Sequence, residues 1–135
     1  MLGNTTPNYL YEIISHHKLE ETIKYTYDED INKEGNTIEI KYPYKVKILS
    51  STVSSIPYKE ILQGIANYEQ GREPSICQSV YFININKNII FNMYDDRGCI
   101  IFSNSKDRLI NLYQKYNEWL VDYWRGYIDN IFKEI

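Results

Sequence analysis

The chain has 135 residues and a net charge of −3, which suits a single domain that buries roughly two-thirds of its unfolded surface and argues against binding nucleic acid by general phosphate neutralisation. Fourteen tyrosines against four phenylalanines place many rings half in a core with their hydroxyls wet, a pattern shared by binding surfaces and by codon-biased genomes. Met1–Asn8 lacks a basic segment and an apolar core, and no apolar run is long enough to span a bilayer, so a cytoplasmic protein without a membrane partner is expected.

Thr6 and Pro7 have the chemistry of a helix start, and Tyr9, Leu10, Ile13 and Ile14 form one apolar stripe, predicting a short helix to about His17. From Thr22 to Tyr27 the pattern alternates, predicting a strand that stops in Asp28-Glu29-Asp30 and is followed by the loop Asn32-Lys33-Glu34-Gly35-Asn36, together an acidic hairpin connection. The return strand runs from Thr37 to Leu49, with Ile38, Ile40, Tyr42, Tyr44, Val46 and Ile48 alternating against polar residues. Pro43 inside it implies an edge strand or a bulge.

After the polar linker 50–55, Pro57 opens a second helix whose buried face is Ile61, Leu62 and Ile65 and which ends before Gly71. Val80 to Ser103 reads as a three-stranded antiparallel meander. Its runs Val80–Ile85 and Ile89–Tyr94 are joined by Asn86-Lys87-Asn88, and the second and third runs by Asp95-Asp96-Arg97-Gly98. Asn104 or Ser105 then caps a long terminal helix with the stripe Leu109, Leu112, Tyr113, Tyr116, Leu120, Tyr123, Tyr127 and Ile131, which has weak points at Asn117 and Gly126. The predicted fold is α+β, a twisted antiparallel sheet of about five strands packed against helices.

Candidate chemistry concentrates at Tyr94-Asp95-Asp96-Arg97-Gly98, where paired carboxylates beside a guanidinium could bind a cation or orient a substrate. The same residues also suit a tight turn in which aspartate accepts backbone hydrogen bonds. Arg72 is a second candidate anchor for a carboxylate or phosphate. Trp119 and Asp122 in the last helix complete the set, and the two tryptophans, Trp119 and Trp124, are five residues apart and point in different directions. His16 and His17 suit the end of the first helix better than a metal site. Cys77 and Cys99 lack metal-ligand spacing and are expected as reduced, packed thiols. No phosphate-binding glycine loop or nucleophilic triad is present in the sequence, so no catalytic residue, metal or cofactor is assigned.

The segments Gly64-Ile65-Ala66-Asn67, Gly71 to Ile76, Val80 to Asn84, Met93 to Cys99 and Leu112 to Tyr123, in this order, resemble a bacterial family known only as a domain of unknown function. The resemblance covers about residues 56–132. It implies a fold-level grouping and leaves the function open. Members of that family often carry an acidic residue directly after the Asp-Tyr pair, where this chain has Trp124.

Small size, acidity and abundant tyrosine point to a non-catalytic protein-binding module, most concretely a cytoplasmic immunity protein that covers the active site of a basic toxin such as a nuclease. Glu20, Glu21, Asp28, Glu29 and Asp30 form the densest acidic stretch and are the expected partner-binding residues. The alternative is an enzyme or small-ligand protein in which Arg72, Tyr94, Asp95, Asp96 and Arg97 converge in a pocket. A nucleic-acid surface would need Lys24, Lys41, Lys45 and Lys47 on one strand face.

Overall fold

A computed structural model describes residues 8–133. Thr6 and Pro7, the expected helix start, lie outside the described residues. The chain divides into two compact units, one comprising Asn8–Glu60 and the other the described residues from Ile61 onward.

In the first unit, helix α1 is a short segment, Tyr9–Ile13, with Leu10 and Ile14 buried. It ends earlier than the stripe implied, because the chain turns after Ile13, with the His17 amide bonded to the Ile14 carbonyl. His17 does not serve the helix terminus: its Nε2 donates to the Ser55 carbonyl at 2.9 Å.

Strands β1 (Glu20–Ile31) and β2 (Thr37–Ile48) pair antiparallel as a two-stranded sheet. β1 extends through Asp28-Glu29-Asp30, where the sequence predicts that the strand stops. The carboxylates of Asp28 and Asp30 accept the following backbone N–H groups of Glu29 and Ile31, at 2.9 and 2.8 Å, so the acidic residues satisfy an extended backbone that faces no third strand among the described residues. The loop is Asn32–Asn36, as the sequence predicts. There the Asn32 side chain accepts the Glu34 and Asn36 amides at 3.0 and 2.9 Å, and Gly35 takes the positive φ of 82° that closes the turn.

Pro43 sits in β2 without a bulge, opposite Tyr25 in an unbroken register. The Asn32 amide bonds the Asn36 carbonyl, and antiparallel pairs alternate between bonded and non-bonded. Counting along the register from Asn32 makes Tyr25 and Pro43 a non-bonded pair, so Pro43 costs the ladder no donor.

In the second unit, helix α2 (Tyr58–Glu69, whose first residues belong to the first unit) buries Ile61, Gly64, Ile65 and Asn67. Its end is fixed by Gly71 at φ 63° and by the Arg72 amide, which bonds the Asn67 carbonyl at 2.9 Å. The return loop packs back on the helix. The Ile76 amide bonds the Gly64 carbonyl at 2.9 Å, and Asn67 donates its side-chain amide to the Pro74 carbonyl at 2.8 Å. A Cβ on Gly64 would lie 2.7 Å from both Cγ1 and Cδ1 of Ile76, so only glycine permits this approach.

Strands β3 (Phe82–Asn84), β4 (Ile89–Asp95) and β5 (Gly98–Ser103) form the antiparallel meander in the order β3-β4-β5. Asn88 takes φ 49° in the first turn, where the Asn84 side chain accepts the Lys87 amide at 3.0 Å. The five expected strands are therefore present, divided between a two-stranded and a three-stranded sheet. The long terminal helix is divided too, into α3 (Ile110–Lys115) and α4 (Asp122–Phe132), with a 3-10 turn at Asn117–Trp119 between them.

Leu120 and Val121 are extended, which breaks the three-four spacing, so the predicted stripe does not become a core: Tyr123 is 83% exposed, and Tyr116, Tyr127 and Ile131 are also exposed. The corner is held by Arg125, which donates to the Asn117 side chain at 3.0 Å and to the carbonyls of Asn117 and Leu120 at 3.2 Å each. Tyr113 reaches from α3 to α4, donating its hydroxyl to Asp129 at 2.7 Å and stacking on Phe132 at 4.2 Å.

Candidate functional site

The Asp95 turn is built by a register shift. Met93 pairs with Cys99 and Asp95 with Gly98, leaving Tyr94 as the extra residue of a bulge. The Tyr94 ring lies over Gly98, where a Cβ would meet its Cζ at 2.9 Å. Asp95 is thereby buried, and one oxygen accepts the Arg97 amide at 2.7 Å while the other takes Nε of Arg97 at 2.9 Å together with its Nη2. The Arg97 guanidinium, aided by the Arg97 and Gly98 amides against the cost of burial, holds the Asp95 carboxyl below its ordinary range.

The neighbouring candidates disperse. Asp96 accepts Gln70 Nε2 at 3.0 Å and so faces the end of α2. A cavity of about 290 Å³ lies in the same unit, lined among others by Tyr68, Glu69, Cys77, Tyr81 and Tyr94. Of the five residues expected to converge in a pocket, Tyr94 alone lines it; Arg72, Asp95, Asp96 and Arg97 do not. Asp95 and Arg97 satisfy each other, so the turn stabilises its own backbone and offers no unpaired carboxylate at Asp95.

Asp122, the first residue of α4, pairs with Arg125 Nε at 3.7 Å, and Trp119 is 79% exposed with its ring 5.3 Å from that of Tyr116. Cys77 and Cys99 are free thiols and exposed, not packed as expected. Among the described residues no cluster of His, Cys, Asp or Glu could hold a metal ion, and no helix is long and apolar enough to cross a membrane.

The β1–β2 ribbon has a different character. All twelve residues of β1 are exposed. Residues directly opposite in an antiparallel pair share a face, so the register sorts the side chains. One face carries Thr22, Lys24, Thr26, Asp28 and Asp30 of β1 beside Ile38, Ile40, Tyr42, Tyr44, Val46 and Ile48 of β2. The other carries Ile23, Tyr25, Tyr27 and Ile31 beside Lys41, Pro43, Lys45 and Lys47. Each strand's apolar row therefore lies on the opposite face from the other's, and both faces are half apolar. Ile23, Tyr27, Tyr42 and Tyr44 are each about half exposed.

The acidic residues are sorted in the same way. Glu20, Asp28 and Asp30 fall on one face and Glu21 and Glu29 on the other. Glu21 is 3.5 Å from Lys45 and 3.4 Å from Lys47, whereas Glu20 and the Asp28-Glu29-Asp30 end have no lysine pair among the described residues. Lys24 does not share a face with Lys41, Lys45 and Lys47, because it is opposite Tyr44, and Lys41 and Lys47 cover the rings of Tyr25 and Tyr11 at 3.8 and 4.1 Å. The four lysines therefore do not form one face: Lys41, Lys45 and Lys47 share one, and Lys24 lies on the other. Sequence reasoning missed two structural residues, Arg125 and Asn67. Nothing local marks Arg125, whereas the spacing of Asn67 from Gly71 at a helix end was a usable signal.

Residues 3–124 match the family described as a domain of unknown function (DUF3885). The chain is also 36% identical over 70 residues to an uncharacterized protein, YnaE, of Bacillus subtilis (strain 168), an overlap that covers 47% of this chain and 33% of that protein. The match thus spans about a third of that relative's length. No solved structure matches.

Proposed function

Because the chain belongs to the DUF3885 family, a domain of unknown function, we propose its role from its geometry: a non-catalytic protein-binding module whose recognition element is the β1–β2 ribbon. The carrying observation is that twelve paired positions leave all of β1 exposed, with an apolar row on each face. A two-stranded ribbon alone is marginally stable in water, and contiguous exposed apolar rows of this length mark an interaction surface. The Asp28-Glu29-Asp30 end and the net charge of −3 favour a basic partner by electrostatic steering. The concrete form of this reading is an immunity or inhibitor protein that covers the active site of a basic toxin. The alternative, ligand chemistry at Asp95, Asp96 and Arg97, has less support, since Asp95 is already paired with Arg97.

Affinity capture of tagged protein, with the products of neighbouring reading frames co-expressed, tests the proposal. A stoichiometric basic partner whose activity is blocked by the chain, and which is lost when Asp28, Glu29 and Asp30 are changed to Lys, is the expected result. Absence of any such partner, with a small molecule instead bound around the 290 Å³ cavity, overturns it.

A further inference from the structure

The two outer edges of the ribbon are not equivalent. The residues whose backbone groups face outward are those in non-bonded pairs, namely Glu21, Ile23, Tyr25, Tyr27, Glu29 and Ile31 on β1, with Lys41, Pro43 and Lys45 among their counterparts on β2. The carboxylate bonds to the Glu29 and Ile31 amides confirm this parity, since those N–H groups would otherwise be engaged with β2. Pro43 removes the donor at the middle of the β2 edge, a common device against strand addition. Asp28 and Asp30 occupy the donors at the far end of β1. What is left open is the β1 edge from Glu21 to Tyr27, whose outward N–H groups have no partner among the described residues.

We propose that this edge accepts an extended basic protein segment as an added antiparallel strand, an inference that rests on the ribbon being the recognition element. Length and charge select the occupant. Seven residues match an ordinary strand, and alternate side chains of an incoming strand would stand beside Ile23, Tyr25 and Tyr27 on one face and beside Thr22, Lys24 and Thr26 on the other. Antiparallel pairing sets the amino-terminal end of the added strand against Asp28, Glu29 and Asp30, where lysine or arginine complements the carboxylates. A second copy of this chain matches the carboxylates less well, because its β1 carries a single cation, Lys24, against Asp28, Glu29 and Asp30. Self-pairing centred on Tyr25 also places Glu21 opposite Glu29 and Glu20 opposite Asp30, and centring on Lys24 places that lysine opposite itself; like charges directly opposite are destabilising.

The probe is a labelled peptide, Lys-Lys-Lys-Val-Thr-Val-Thr-Val, titrated into the full chain by fluorescence anisotropy. A second peptide of identical sequence and charge carries N-methyl groups on its three valines, whose amides would donate to β1. The inference expects the first to bind and the second to bind at least about tenfold more weakly, through loss of several backbone hydrogen bonds. It also expects Ile23→Pro, which removes an outward donor without touching the β2 ladder, to weaken the first peptide while circular dichroism stays unchanged. Equal binding of both peptides means charge attraction alone and overturns the strand, as does a dimer in sedimentation that excludes the peptide. A captured partner that binds Ile23→Pro as well as it binds the parent chain overturns the edge while sparing the ribbon as recognition element. Absence of any partner refutes both.

Discussion

Gly64 and Asp95 show how single residues set local structure. Gly64 lies where the return loop crosses α2, and Ile76, the one fully buried large side chain among the described residues, leaves no space for a methyl group. Gly64→Ala gains helix propensity yet forces Ile76 or the loop to move, and is expected to destabilise by about 1–3 kcal/mol, measurable as a lowered denaturant midpoint at unchanged slope. Asp95 makes a pH prediction. Its folded carboxyl lies below the ordinary range because of Arg97. Its stabilisation is therefore complete above the unfolded value of about 3.9 and is lost as pH falls through that value toward the folded one. Asp95→Asn should lower the melting temperature at neutral pH and flatten its fall as pH drops below the unfolded value of about 3.9; a parallel curve for parent and variant refutes the pairing. The sequence left the turn open between a ligand site and a structural one. Which partner Arg97 takes depends on the bulge at Tyr94, and no residue pattern announces that bulge.

At the scale of elements, periodicity was a good guide where one face of a segment is buried and a poor one elsewhere. The α2 face was legible, since Ile61 and Ile65 are buried as spaced. The terminal stripe was not, because the extended residues Leu120 and Val121 and the Arg125 contacts to the Asn117 and Leu120 carbonyls turn the chain before the stripe can continue. Arg125→Ala should cost about 1–2 kcal/mol through the freed carbonyls and loosen α4, seen as faster amide exchange across Asp122–Phe132 than in α2. The ribbon gives an alternating pattern of its own. The amides of Lys24, Thr26, Tyr42 and Tyr44 face the partner strand and should exchange more slowly than those of Ile23, Tyr25 and Tyr27; uniform rates along β1 would refute the register.

Over the whole molecule the two units carry different work. The unit from Ile61 onward holds Ile61, Ile65 and Ile76, with the buried polar Asn67, Asn92 and Asp95 each hydrogen-bonded, whereas β1 in the other unit buries nothing. A partner that docks on the ribbon stabilises the bound form by mass action. It should slow exchange at Glu21–Tyr27 and leave the Asp95 turn amides unchanged, a contrast that amide-exchange mass spectrometry reads directly.

The residues alone determined the class, the meander, the extent of β2 and of α2, and the family, because alternation, turn chemistry and capping act over a few neighbours. Tertiary structure alone decided that the strands form two sheets, that the acidic run Asp28–Asp30 is strand, that apolar rows lie on opposite faces of the ribbon, and that Asp95 closes on Arg97. Each of these depends on which strand lies opposite which residue. A shift of one position moves every side chain to the other face, and local pattern carries no record of that pairing.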